Sequence, residues 1–140
     1  MTGLETQETH GPLDVVLPLL GHDLVQVGHA IRSLRRQSYP VRRILLVGQN
    51  PEDRLVQTGL HFSSNQVATL RLPHNLTPFS PDWWQALEPH LSATWVGIQL
   101  PFAISHSNRF SVQTAFLAKH LYTSITFCGT RIADRDGLLS

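Results

Sequence analysis

At 140 residues, with 41% hydrophobic and 15% charged residues, the chain has the size and composition of one globular domain able to bury a core of its own. Lys+Arg 11 against Asp+Glu 10 leaves a net charge of +1, which excludes a global field of the kind that marks nucleic-acid or membrane-surface binders. The single cysteine excludes an intramolecular disulfide, and no apolar run approaches the roughly 20 residues that span a bilayer, so a cytoplasmic protein with no transmembrane segment is expected.

Residues 1–12 are polar, carry Glu5 and Glu8, and read as a flexible tail rather than a signal segment, ahead of a single domain over 13–140. The apolar run 15–20 (VVLPLL) predicts a strand buried on both faces. Asp23 suits a helix N-cap, and Leu24, Val27, Ile31 and Leu34 recur at helical spacing until Tyr39-Pro40 stops the helix. A second buried strand over 43–47 ends in the turn residues Gly48-Gln49-Asn50-Pro51, with a short helix expected from Asp53. Residues 67–72 supply a weaker third strand, and Pro73, Asn75 and Pro78 enforce an irregular loop. Ser80-Pro81-Asp82 opens a helix with Ser80 as cap; Trp83 or Trp84, Leu87 and Leu91 form its apolar side, and Pro89 ends or kinks it. A fourth strand over 94–100 is broken by Pro101. A helix over 108–121 offers Val112, Ala115, Phe116 and Leu117 to the core, and a last strand is expected over 124–130.

Strands alternating with helices at these lengths predict an α/β domain with a mostly parallel sheet covered by helices on both faces. Ligands in such sheets bind beyond the carboxyl ends of the strands, which here are residues 19–22, 48–50, 73–75 and 100–103.

These segments together resemble the N-terminal, donor-binding half of family 2 glycosyltransferases, which have the GT-A fold and transfer sugar from a nucleotide-sugar. The first strand, Val15-Val16-Leu17-Pro18, is similar to the family's first strand ending in Pro. Residues 30–40 (AIRSLRRQSYP) resemble its helix with a Ser-Leu-x-x-Gln-Thr-Tyr-Pro ending, the most specific segment of the match. Residues 72–75 (LPHN) look like the loop after its third strand, and 95–98 fall on its fourth strand. The run 105–110 (SHSNRF) is similar to the stretch just after its metal motif, and 131–137 (RIADRDG) to the segment where its donor half finishes. The resemblance implies a GT-A-like fold and places a nucleotide or nucleotide-sugar at Leu19, Gly21, Gly48, Gln49 and Asn75.

The departures bear on activity. Where the family has an Asp pair contacting the nucleotide, this chain has Gly48 and Gln49, and the Asp-x-Asp that holds a divalent ion falls on Leu100-Pro101-Phe102. Hard cations require carboxylate and water oxygens, so no metal and no cofactor is expected there. The family's second half, with its acceptor site and catalytic base, has no counterpart in the chain, which therefore reads as a truncated domain with no catalytic residue to assign.

Other residue groups weigh less. His22 and His29 lie two helical turns apart and no His pair has i, i+4 spacing, which disfavours a metal site; His106 is the one that could face the cleft. Arg32, Arg35, Arg36, Arg42 and Arg43 could bind phosphate or an acidic partner, although a solvated helix end complementing the dipole accounts for them more simply. With only Tyr39 among them, nucleic acid is not an expected partner. Trp95 is expected in the core and one of Trp83 and Trp84 at the surface; Cys128 reads as a buried inert thiol. The residues leave three readings open: a degenerate glycosyltransferase-like domain that binds a nucleotide or a protein partner without turnover; an active transferase that is metal-independent or completed by another chain; and a plain assembly domain whose cleft is filled by Leu100 and Phe102.

Overall fold

Short β-branched and leucine-rich runs alternate in this chain with helical segments that are apolar on one side, and a computed structural model assembles them as a parallel sheet between helices. It describes residues 11–20, 24–53, 66–73, 75–120 and 126. In chain order these form β1 (Leu13–Pro18), α1 (Leu24–Arg35), β2 (Val41–Gly48), β3 (Val67–Arg71), α2 (Pro81–Leu87) with a 3-10 turn (Glu88–His90), β4 (Trp95–Ile98) and α3 (Arg109–Lys119). The described strands form one all-parallel sheet in the order β3-β2-β1-β4. No helix among the described residues is long and apolar enough to cross a membrane.

Alternation along the strands builds two cores. Val15 and Leu17 with Ile44 and Leu46 face Val27, Ala30, Ile31 and Leu34 of α1 and Phe110 of α3. Val16, Leu45 and Val47 face the opposite way, against Leu72 and against Trp83 and Leu87 of α2. The first and third helices thus cover one face of the sheet and α2 the other, as right-handed crossovers require for α1, between β1 and β2, and α2, between β3 and β4. Each fully buried Leu, Ile or Val stabilises the fold by about 1.5–3 kcal/mol.

Ser80 caps α2 as expected, its hydroxyl accepting from the Trp83 N–H at 3.3 Å, and the helix gives way at Pro89 to a single 3-10 turn. β1 starts at Leu13 rather than Val15 and closes at Pro18, because Leu13 and Asp14 pair with both neighbouring strands. The helix expected from Asp53 begins at Pro51; its continuation lies outside the described residues, as do the Asp23 cap, Cys128 and all but Thr126 of the strand expected over 124–130.

The inner face expected for α3 is corrected. Val112 is 60% exposed and Phe116 43% exposed, Ala115 is exposed and Leu117 half-buried; Phe110 and Thr114 are the buried positions instead. Thr114 satisfies its hydroxyl by donating to the Phe110 carbonyl at 2.6 Å, so a polar residue occupies the inner face without penalty. The Phe110 ring lies against Gly97 so closely that a Cβ there would stand 2.5 Å from Cε1. That lock overrides the apolar pattern of the helix.

A buried ion cluster closes the amino-terminal end of the sheet. Asp14, with no exposed surface, accepts from Nε and Nη2 of Arg42 at 2.9 and 2.6 Å and from Arg43 at 3.2 Å. Hydrogen bonding to Asp14 holds the Arg42 guanidinium above its ordinary pKa.

Candidate functional site

The carboxyl ends of β1, β2 and β3 open into a cavity of about 410 Å³ on the face covered by α2. Its floor is Pro18, Leu19 and Leu20 with Val47 and Gly48, its near wall is Gln49 and Asn50, and its far wall is Leu72, Pro73, Leu76, Pro78 and Trp83. The backbone of the floor is committed: the Leu19 N–H donates to the Val47 carbonyl at 2.8 Å and the Leu72 N–H to the Gly48 carbonyl at 2.9 Å. The side-chain amides of Gln49 and Asn50 are exposed and make no hydrogen bond with any described residue, so their donors and acceptors are available to a ligand.

Of the five residues singled out by resemblance, Leu19, Gly48 and Gln49 meet in this cavity. Asn75 is exposed in the loop beyond the far wall and does not line it, and Gly21 lies outside the described residues. The loop after β4 also stays out, although strand order reverses between β1 and β4. Leu100 and Phe102 are 36% and 51% exposed, so they do not fill the cavity as the assembly-domain reading expects. His106 is exposed and lines neither this cavity nor the groove on the opposite face of the sheet; its Nδ1 accepts from the Asn108 N–H at 3.3 Å.

Gly48 has a steric reason. A Cβ at this position would approach Leu19 Cβ to 3.2 Å, so a side chain here would require Leu19 to give by a few tenths of an ångström. At the lip, Phe79 takes a left-handed backbone conformation (φ 68°), a strain of about 1–3 kcal/mol for a non-glycine residue. Its ring lies 5.1 Å from that of buried Trp83 and 6.3 Å from that of Trp84, which is 37% exposed. The two tryptophans meet edge-on at 4.8 Å, one inward and one outward.

Leu100-Pro101-Phe102, where the sequence resemblance would put a metal-binding pair of acids, forms a turn held from behind by Gln99, Ser105 and Arg109. Gln99, almost fully buried, donates to the Ala103 carbonyl at 2.7 Å and accepts from the Ser105 hydroxyl. Arg109 donates to Gln99 Oε1 at 3.0 Å and to the Ile98 carbonyl at 2.9 Å. Leu, Pro and Phe supply no ligand for a hard cation, so the residues present do not fit a divalent metal, and no three His, Cys, Asp or Glu among the described residues gather to replace them.

The most specific stretch of the sequence resemblance serves the scaffold. The Gln37 amide donates to the His106 carbonyl at 2.7 Å and to the Ser33 carbonyl at 3.3 Å, and its oxygen accepts from the Phe110 N–H at 3.3 Å. Ser38 bonds Ser111 at 2.5 Å through its hydroxyl, and the Tyr39 hydroxyl donates to the Gly11 carbonyl. Gln37 thereby caps the start of α3 from across the chain, in place of Asn108, whose side chain makes no cap. Sequence reasoning missed Trp83, Leu76 and Pro78 as the far wall. The right-handed crossover from β3 to β4 was the available signal, since it places α2 over that face.

Compared with protein-family models and with curated proteins, the sequence matches none.

Proposed function

We propose that this domain is a GT-A-like, family 2 glycosyltransferase-like module that binds the nucleoside part of a nucleotide or nucleotide-sugar without metal-dependent transfer. The carrying observation is the cavity at the ends of β1, β2 and β3, with apolar walls, Trp83 at one side and the unengaged amides of Gln49 and Asn50 at the other. Apolar walls with a few convergent polar groups suit a planar heterocycle. Among the described lining residues none is an acid, a base or a cation, so a diphosphate gains little here and proton transfer has no agent. The reading therefore stops at binding. The exposed edges of Phe79 and Trp84 extend the apolar surface beyond the lip and suit a base or sugar face.

The test is an amide-resolved NMR titration with uridine, uridine diphosphate and nucleotide-sugars, with and without Mg²⁺. Saturable shifts at Leu19, Gly48 and Gln49 that need no metal, and are of similar affinity for uridine and its diphosphate, are the expected result. Metal-dependent binding would overturn the reading in favour of an active transferase. Absence of any shift at millimolar ligand would overturn nucleotide binding and turn the search to protein partners.

A further inference from the structure

A second cavity, of about 460 Å³, lies on the opposite face of the sheet, between α1 and the extended segment that leads into α3. One wall carries His29, the adjacent Arg32 and Ser33, and Arg36, at successive spacings of three or four residues that align them on one side of the helix and its exit. The other is Ile104, Ser105 and Ser107. Two guanidinium groups thus line one groove with no carboxylate among its described lining residues.

The other described arginines are engaged: Arg42 and Arg43 on Asp14, Arg71 on Glu52, Arg109 on Gln99 and Ile98, and Arg35 with a contact of its own. The side chains of Arg32 and Arg36 make no hydrogen bond or ion pair with any described residue, and both residues are exposed. Like charges one helical turn apart repel, and a bound anion converts that repulsion into attraction. The helix dipole favours basic residues near this end but gives no reason for a wall opposite them.

That wall is preformed. The Ser105 N–H donates to the Ser33 hydroxyl at 3.1 Å, Gln37 holds the His106 carbonyl at 2.7 Å, and the Ser38 N–H donates to the Ser107 carbonyl at 2.7 Å. The Ser107 hydroxyl is exposed and makes no hydrogen bond with any described residue, so it can donate into the groove. Binding here would order the Arg32 and Arg36 side chains against a wall that is already fixed.

We propose that this groove is an oxyanion site that takes the phosphate of a small phosphomonoester. A phosphomonoester carries about −1.5 to −2 charge at neutral pH, which balances two guanidinium groups where a single carboxylate would not. The cavity exceeds a bare phosphate and leaves room for the group that carries it. No aromatic side chain is among the described residues that line the groove and the whole chain carries only +1, which argues against a nucleic-acid strand.

Amide NMR at constant ionic strength tests this, with inorganic phosphate, glucose 1-phosphate and acetate as probes. Saturable shifts confined to residues 29–36 and 104–107 are expected for both phosphates, with the ester tighter and acetate weaker. The Arg32→Gln/Arg36→Gln double variant should weaken phosphate binding roughly tenfold or more, whereas Lys119→Gln, which removes the same kind of charge outside the groove, should leave it unchanged. Both arginines are exposed, and a dispersed spectrum of the variant confirms that it folds. Shifts that stay linear to about 10 mM, acetate equal to phosphate, or binding that survives the double variant would overturn the site. Binding of inorganic phosphate but not of the ester would overturn its assignment to an ester. The reporting amides differ from those of the strand-end cavity, so this site and the nucleotide reading fail or stand separately.

Discussion

Replacing Gln37 by leucine keeps the side-chain volume nearly constant and removes three hydrogen bonds at once. The Phe110 N–H that Gln37 accepts is buried, and stranding it costs about 1–3 kcal/mol. His106 is exposed, so its freed carbonyl can turn to water, and the 3.3 Å contact to the Ser33 carbonyl is the weaker of the two donated bonds; together they add about 1 kcal/mol. A destabilisation of about 2–4 kcal/mol results, a large share of the roughly 5–15 kcal/mol that holds an ordinary domain together. Urea unfolding followed by tryptophan fluorescence measures it, since Trp83 and Trp95 report from opposite faces of the sheet. The midpoint should fall with an unchanged m-value, and the Phe110 amide should lose hydrogen-exchange protection ahead of the β1 amides. A loss below about 0.5 kcal/mol would refute the reasoning, because it would mean that solvent reaches the start of α3 and that Gln37 caps nothing.

Asp14→Asn should cost about 2–3 kcal/mol by the same measurement, less than the loss of a fully buried pair because Arg42 is 45% exposed and can be rehydrated. Arg42→Gln should cost less than Asp14→Asn, since Arg43 still neutralises the buried carboxylate; the reverse order would contradict the assignment of Asp14 as the hub. Burial raises the Tyr39 phenol above its ordinary pKa, so the folded state holds that proton more tightly than the unfolded chain. Its contribution is complete below about pH 10 and is lost as pH rises from there through the raised value in the folded state. Stability followed from pH 9 to pH 12 should fall more steeply than in Tyr39→Phe, and Lys119 and Tyr122, which also titrate in this range, are common to both proteins; equal slopes would show that folding does not hold the Tyr39 proton more tightly.

The described elements from β1 to α3 were legible as alternating strands and helices because buried parallel strands need continuous apolar runs, and 44–47 and 15–17 supply them. The Ser80-Pro81 start of α2 and its end at Pro89 were equally plain, since caps and prolines act locally. The face of α3 was not. Val112 and Phe116 look like core residues, yet the contacts that turn the helix, Phe110 on Gly97 and Gln37 on the Phe110 N–H, come from residues distant in sequence.

The amino-acid order by itself determined an α/β domain with one parallel sheet, the loops at its strand ends, and the neutrality of Gly48, Gln49 and residues 100–102, because periodicity, capping and side-chain chemistry are properties of short segments. Which loops meet was decided only by the tertiary structure. Strand order β3-β2-β1-β4 joins the ends of β1, β2 and β3 under α2 and leaves the loop after β4 outside, while the same packing sets Arg32 and Arg36 opposite Ser105 and Ser107. Both cavities depend on contacts between distant parts of the chain, whose closeness no local pattern encodes.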